Sequence, residues 1–166
     1  ENKVQEAQAK WAEIKKTKPL IKLHMIGKLQ SNKAKEAVKL FDYIHSVDNQ
    51  KLASLLSKHE NSISKKLSYF IQVNIGNEYQ KSGIDIKNLD EFFYYCIKEL
   101  KLNIIGLMAI PPNDGKENFY YKNLMELNKL LGLKDLSMGM SGDFKEALKY
   151  KTTFIRVGSS IFGKRA

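Results

Sequence analysis

Cysteine, arginine, proline and long apolar runs are all scarce in this chain of 166 residues. The single cysteine, Cys96, excludes an internal disulfide and fits a reducing cytoplasm. It sits in EFFYYCIKEL without ligand-type neighbours, which reads as a buried helix residue rather than a catalytic thiol. No apolar run approaches the length of a membrane span, and no signal-peptide pattern opens the chain. There is no low-complexity tract, linker or sign of a second domain. Of 28 basic residues only Arg156 and Arg165 are arginine, against 18 acidic residues and a net charge of +10. The lysines are scattered, and the pairs at Lys15–Lys16 and Lys65–Lys66 are short. A drift in residue usage with solvated lysine faces explains this better than a nucleic-acid patch.

What is present is an ordinary globular composition, 43% hydrophobic and 28% charged, enough for one domain with a sizeable core. Periodicity predicts alternating elements. Helices are expected at 2–15, 32–40, 49–58, 87–100, 117–131 and 143–149. Strands are expected at 21–26, 43–47, 68–75, 103–110, 134–140 and 153–157. Pro111 and Pro112 stop the fourth strand, and Gly132 ends the helix before the fifth. Strict alternation implies a parallel sheet with helical crossovers. Six such strands make either an open doubly wound sheet or strands three to eight of a (β/α)8 barrel.

The two last strands carry the chemistry. LSMGM runs into Ser141, Gly142 and Asp143, and FIRVGSSIF into Gly158, Ser159 and Ser160. Serine hydroxyls and glycine-opened N–H groups at strand ends hold phosphate well, although the same residues also serve as plain turns. Asp143 with Glu146 three residues later reads as a capping box that starts the last crossover helix.

Six segments, each at an expected strand end, decide between the two architectures. HMIGKLQSNKAK (24–35), HSVDNQKLA (45–53), IQVNIGNEYQKSGI (71–84), GLMAIPP (106–112), LSMGMSGDFKEAL (136–148) and TFIRVGSSIFGKR (153–165) together resemble the YggS/PROSC-type pyridoxal 5′-phosphate (PLP) homeostasis family. The resemblance implies an α/β fold of the (β/α)8 TIM-type barrel kind, like the alanine racemase N-terminal domain. Strands 3–8 would be present and strands 1–2 missing from this sequence. The opening ENKVQEA resembles the family's segment after its second strand, so roughly forty residues of the barrel domain are expected before it. They would carry the lysine that forms a Schiff base with PLP. Thr17-Lys18-Pro19 mimics that lysine's motif but lies out of register with it.

For the cofactor, the resemblance implies a contact from Met140, phosphate contacts from Ser141 and from the N–H groups of Ser159 and Ser160 opened by Gly158, and Arg156 against the pyridine nitrogen. Asn2 is expected near the cofactor by family position. His24 is either a packed, hydrogen-bonded histidine or a cofactor contact. Gln30, Asn32 and Lys33 are expected to brace the site, and Lys81 is a candidate for transient PLP capture. His45 and His59 show no metal-ligand spacing, and no Ser–His–Asp set is readable.

The function implied is a cytoplasmic, monomeric PLP-binding protein that carries or buffers the cofactor for vitamin B6 and amino-acid balance. PLP-dependent apoenzymes would be its recipients, with no nucleic acid, membrane or metal involved. A racemase would need a second domain to supply its second acid/base. Two other classes compete: a barrel enzyme on a phosphorylated small molecule, with Asp48 as base, and a basic RNA- or membrane-associated protein.

Overall fold

The structure, a computed structural model, describes residues 1–78 and 82–163. Helix α1 (Val4–Thr17) leads into strand β1 (His24–Met25), and a 3-10 turn (Ser31–Lys33) opens α2 (Ala34–Leu40). Strand β2 (Tyr43–Val47), α3 (Gln50–Ile63), β3 (Ser68–Gln72) and α4 (Leu89–Tyr94) follow. A π turn (Tyr95–Glu99) extends α4 before β4 (Ile104–Met108), α5 (Glu117–Leu130) and β5 (Asp135–Met140). The described residues close with α6 (Phe144–Leu148), β6 (Phe154–Arg156) and a single-turn helix α7 (Ser159–Phe162).

All six strands are parallel, and their order in the sheet is their order in the chain. One face of the sheet meets the helices. Ile44, Tyr69, Ile71, Leu107, Leu136 and Met138 pack there with Leu52 and Leu56 of α3 and Leu124 of α5. Asn49 starts α3 by accepting the Leu52 N–H at 2.9 Å. Glu60, buried late in the same helix, accepts the Leu67 N–H and so extends α3 beyond the expected stop near Lys58. Cys96 is fully buried in the π turn, as its sequence context suggested.

The other face is concave. Adjacent strands lie ~4.8 Å apart, so a flat six-strand sheet would separate β1 from β6 by ~24 Å. Instead the His24 ring of β1 lies 5.7 Å from the Phe154 ring of β6, centroid to centroid. Tyr43, His45 and Phe70 also converge on Phe154, at 5.8, 5.7 and 5.3 Å. The sheet is therefore curled like part of a barrel wall. It is a curled parallel α/β arrangement, not an open doubly wound sheet.

Several lysines serve the scaffold. Lys65 Nζ donates to the carbonyls of Val38, Lys39 and Phe41, closing the end of α2. Lys15 Nζ reaches Asp42 at 2.7 Å and the Leu40 carbonyl at 2.9 Å, while Asp42 also accepts the Leu23 N–H. Among the described residues no helix is long and apolar enough to cross a membrane.

Gly106 marks the tightest approach in the sheet. A Cβ there would run into the Asp135 backbone of β5 and sit 2.8 Å from the Phe70 ring. Gly106→Ala is expected to lower unfolding free energy by about 3 kcal/mol in a urea titration. An unchanged midpoint would show that β4 and β5 separate without strain.

Candidate cofactor site

Parallel strands send all their C-terminal ends to one side, where a barrel-type fold places its ligands. A cavity of about 850 Å³ opens there, within the usual size of small-molecule sites. Asn2, His24, Met140, Ser141, Arg156, Gly158 and Ser159 all line it. Ser160 stands just behind, with its N–H directed at Ser141.

The two last turns meet on one oxygen. Ser141 Oγ accepts from the Gly158 N–H at 3.2 Å and the Ser160 N–H at 3.4 Å. The Ser160 hydroxyl returns a bond to the Ser141 carbonyl at 3.4 Å. The N–H groups that converge on Ser141 are those of Gly158 and Ser160. Gly158 has φ −123°, which any residue adopts. Glycine matters there for room: an added Cβ at Gly142 or Gly158 meets no protein atom, and both residues border the cavity. Two N–H groups and a hydroxyl that converge beside open space suit an anion.

The expected capping box is absent. Asp143 occupies the N-cap of α6, but its side chain makes no cap bond. Its Oδ1 accepts the Met140 N–H at 2.6 Å and its Oδ2 accepts the Tyr121 hydroxyl at 2.5 Å. Tertiary contact with α5 outcompetes the local motif. Just upstream, β5 advances three residues while β6 advances two, from the pair Ser137–Phe154 to the pair Met140–Arg156. The extra residue is a bulge at Gly139, whose φ of +89° favours glycine. A Cβ there would also crowd Phe144 and Ala147 of α6.

Arg156 lies deep in the wall of the cavity. Its NH1 donates to Ser137 Oγ at 2.8 Å and its NH2 to the Ala109 carbonyl at 2.9 Å. No described carboxylate lies within ion-pair distance of it. Burial lowers its pKa to about 10, with Tyr121 and Asp143 opposing the shift, so the guanidinium stays charged at neutral pH. Ser137 Oγ also bonds His45 Nδ1 at 2.8 Å, and His45 Nε2 bonds His24 Nδ1 at 3.0 Å. A four-member chain therefore runs His24–His45–Ser137–Arg156. His45 stacks on Phe70, and His24 stacks on Tyr43. Burial, then the charges of His24 and Arg156, push the His45 imidazole down to about 3, so it is neutral.

Other residues weighed from the sequence lie apart. Gln30 and Lys33 line a neighbouring cavity of about 440 Å³, together with Asn2. Asn32 and Lys18 are exposed, and Asp48 does not border the main cavity. Lys81 lies outside the described residues. Sequence reasoning missed His45, Ser137 and Tyr121. His45 was tested against metal-ligand spacing, whereas its partners are a histidine and a serine 92 residues away.

The full chain, residues 1–166, matches the family model for the alanine racemase N-terminal domain. It is 36% identical over 174 residues to a pyridoxal phosphate homeostasis protein of Aquifex aeolicus, covering 99% of this chain and 75% of that relative. The chain belongs to the pyridoxal phosphate homeostasis protein family. Its backbone is similar to that of PipY from Synechococcus elongatus, solved with PLP bound, at a TM-score of 0.88 and 34% identity, covering 98% of this chain and 79% of that one. Alanine racemase of Corynebacterium glutamicum shares the fold at a TM-score of 0.69 and 13% identity, over 99% of this chain and 46% of that one. Within that common fold, this family member's cavity lies at the C-terminal ends of its strands.

The neutral His45 makes a measurable claim about pH. Its unfolded imidazole takes a proton near 6.5, its folded one only near 3. The unfolded state therefore binds more protons between those values, and stability falls as pH drops below about 6.5. Between pH 7 and pH 5 the loss from this one group is about 2 kcal/mol. In His45→Gln the same stretch of the pH–stability curve is expected to flatten by that amount. An identical slope in both proteins would mean that His45 is protonated in the folded chain.

Proposed function

We propose that this chain binds pyridoxal 5′-phosphate and holds it as a carrier or buffer, without catalytic turnover of its own. The observation that carries the reading is the convergence of the Gly158 and Ser160 N–H groups beside Ser141, at the rim of a cavity walled by a charged, half-buried Arg156. Those N–H groups and the Ser141 hydroxyl would take the phosphate, in room left by Gly142 and Gly158. Arg156 would face the ring nitrogen. A guanidinium that stays protonated donates there and keeps the ring nitrogen bare. When bound, the cofactor supplies an aldehyde for amines and a ring that draws electron density from them, and a bare ring nitrogen weakens that draw. His45 and Ser137 hold the guanidinium in place, while His24 and Asn2 flank the opening.

The names of the relatives support the same reading: one is a pyridoxal phosphate homeostasis protein, and another was solved with PLP bound. Recipients of the carried cofactor would be PLP-dependent apoenzymes. The six strands would occupy the third to eighth positions of an eight-strand barrel, in keeping with the curl that brings His24 to Phe154. A phosphorylated-substrate enzyme using Asp48 finds less support, because Asp48 is away from the cavity.

Calorimetric titration of the 166-residue chain with PLP tests the proposal. Binding is expected to be reversible, with the visible absorbance removed completely by dialysis. Ser141→Ala should weaken binding about tenfold, the usual worth of one hydrogen bond to a charged group. Gly158→Leu should abolish binding while leaving the melting temperature within a few degrees, since its side chain enters open space. Undiminished PLP binding by Gly158→Leu would rule out this placement of the phosphate, and absorbance that survives dialysis would rule out a reversible hold.

A further inference from the structure

The turn that carries Ser141 is held by a contact that the phosphate reading does not itself require. Tyr121, on α5, is 1% exposed, and its hydroxyl crosses to Asp143 Oδ2 at 2.5 Å. The other carboxylate oxygen takes the Met140 N–H at 2.6 Å. Backbone bonds close the same turn, from the Asp143 N–H to the Met140 carbonyl at 3.1 Å and from the Glu146 N–H to the Asp143 carbonyl at 3.0 Å. Ser141 lies between the two residues so tied. Its hydroxyl is then delivered to the N–H groups of Gly158 and Ser160. Burial raises the Tyr121 hydroxyl well above its ordinary pKa, so it is a permanent donor.

An acidic side chain two residues from a phosphate-holding serine is adverse unless it is restrained. A free carboxylate in that turn would compete with an incoming anion for the same N–H groups and repel it. Here both oxygens are already engaged by protein donors. We propose that Tyr121 and Asp143 are positioning residues for phosphate. Their contact sets how tightly the Ser141 turn and turn 158–160 take a phosphate group. This rests on the cofactor reading above and deepens it. The ligand chemistry concerned is a phosphate monoester or free phosphate, independent of the ring that carries it.

Amide shifts of the whole chain in heteronuclear NMR distinguish the two levels of the argument. The probes are inorganic phosphate, pyridoxal without phosphate, and PLP. In the wild-type chain, phosphate is expected to shift the Ser141, Gly158 and Ser160 amides, and pyridoxal to shift signals near His24 and Arg156. Tyr121→Phe should weaken phosphate and PLP about tenfold, the worth of one charge-assisted hydrogen bond, and leave the pyridoxal response unchanged. Asp143→Asn keeps an acceptor for Met140 while removing the charge, and should weaken phosphate less than Tyr121→Phe does. A Tyr121→Phe chain that binds phosphate like wild type overturns the proposal. So does one that loses pyridoxal and phosphate equally, because that is general loosening. Phosphate binding that depends on Tyr121 in a chain indifferent to PLP would uphold the clamp and overturn the cofactor reading. No phosphate shifts in wild type would overturn both.

Discussion

One half-buried guanidinium ties this fold together. Taking a charge out of water costs several kcal/mol unless its donors are satisfied. Arg156 sits at the end of β6 and finds its partners on two other strands' ends, Ser137 in β5 and the Ala109 carbonyl just after β4. Through Ser137 the same chain of bonds reaches His45 in β2 and His24 in β1. Five of the six strands therefore depend on one charge being correctly placed. The constraint runs both ways. Burial, with the charges of His24 and Arg156, keeps the histidine beyond Ser137 neutral, and the bulge at Gly139 sets the β5–β6 register where the arginine enters.

The same arrangement explains why the site looks sparse. Much of the concave wall is aromatic, with Tyr43, Phe70 and Phe154 around the two histidines. Polar groups lie at the rim turns, at Glu1 and Asn2, and in a single thread through the wall. The lysine-rich composition contributes little to it. Lys65 and Lys15 are engaged on carbonyls and on Asp42 at the far side of the helices.

The alternation of strands and helices was legible in the residues, because parallel strands buried on both faces leave continuous apolar runs such as SYFIQ. The rim turns were legible as turns from Ser and Gly at the strand ends, and only the family resemblance gave them a phosphate. Edges were harder. β1 is only two residues long, for it has a ladder partner on one side alone, and Leu23 instead offers its carbonyl to Asp42 and Tyr43. α3 outran its apolar pattern because Glu60 caps a loop residue, Leu67, a contact with no local signature. Asp143 satisfied a local capping rule on paper and a distant tyrosine in space. The histidine–serine–arginine thread was invisible for a simpler reason: it exists only after the sheet has curled.

Strand order that copies chain order has a consequence for how the molecule is made. Each strand docks on the one synthesised just before it, across a single helical crossover, so the sheet can grow vectorially as the chain leaves the ribosome. Every pairing needed along the way is between neighbours. The cluster of His24, Tyr43, His45 and Phe70 on Phe154, with the thread from His24 to Arg156 beside it, is the exception, spanning about 130 residues of sequence. It can form only when the last strand has emerged. The aromatic interior and the thread through it are thus a late check on assembly, completed only by a chain whose earlier strands have already taken their places.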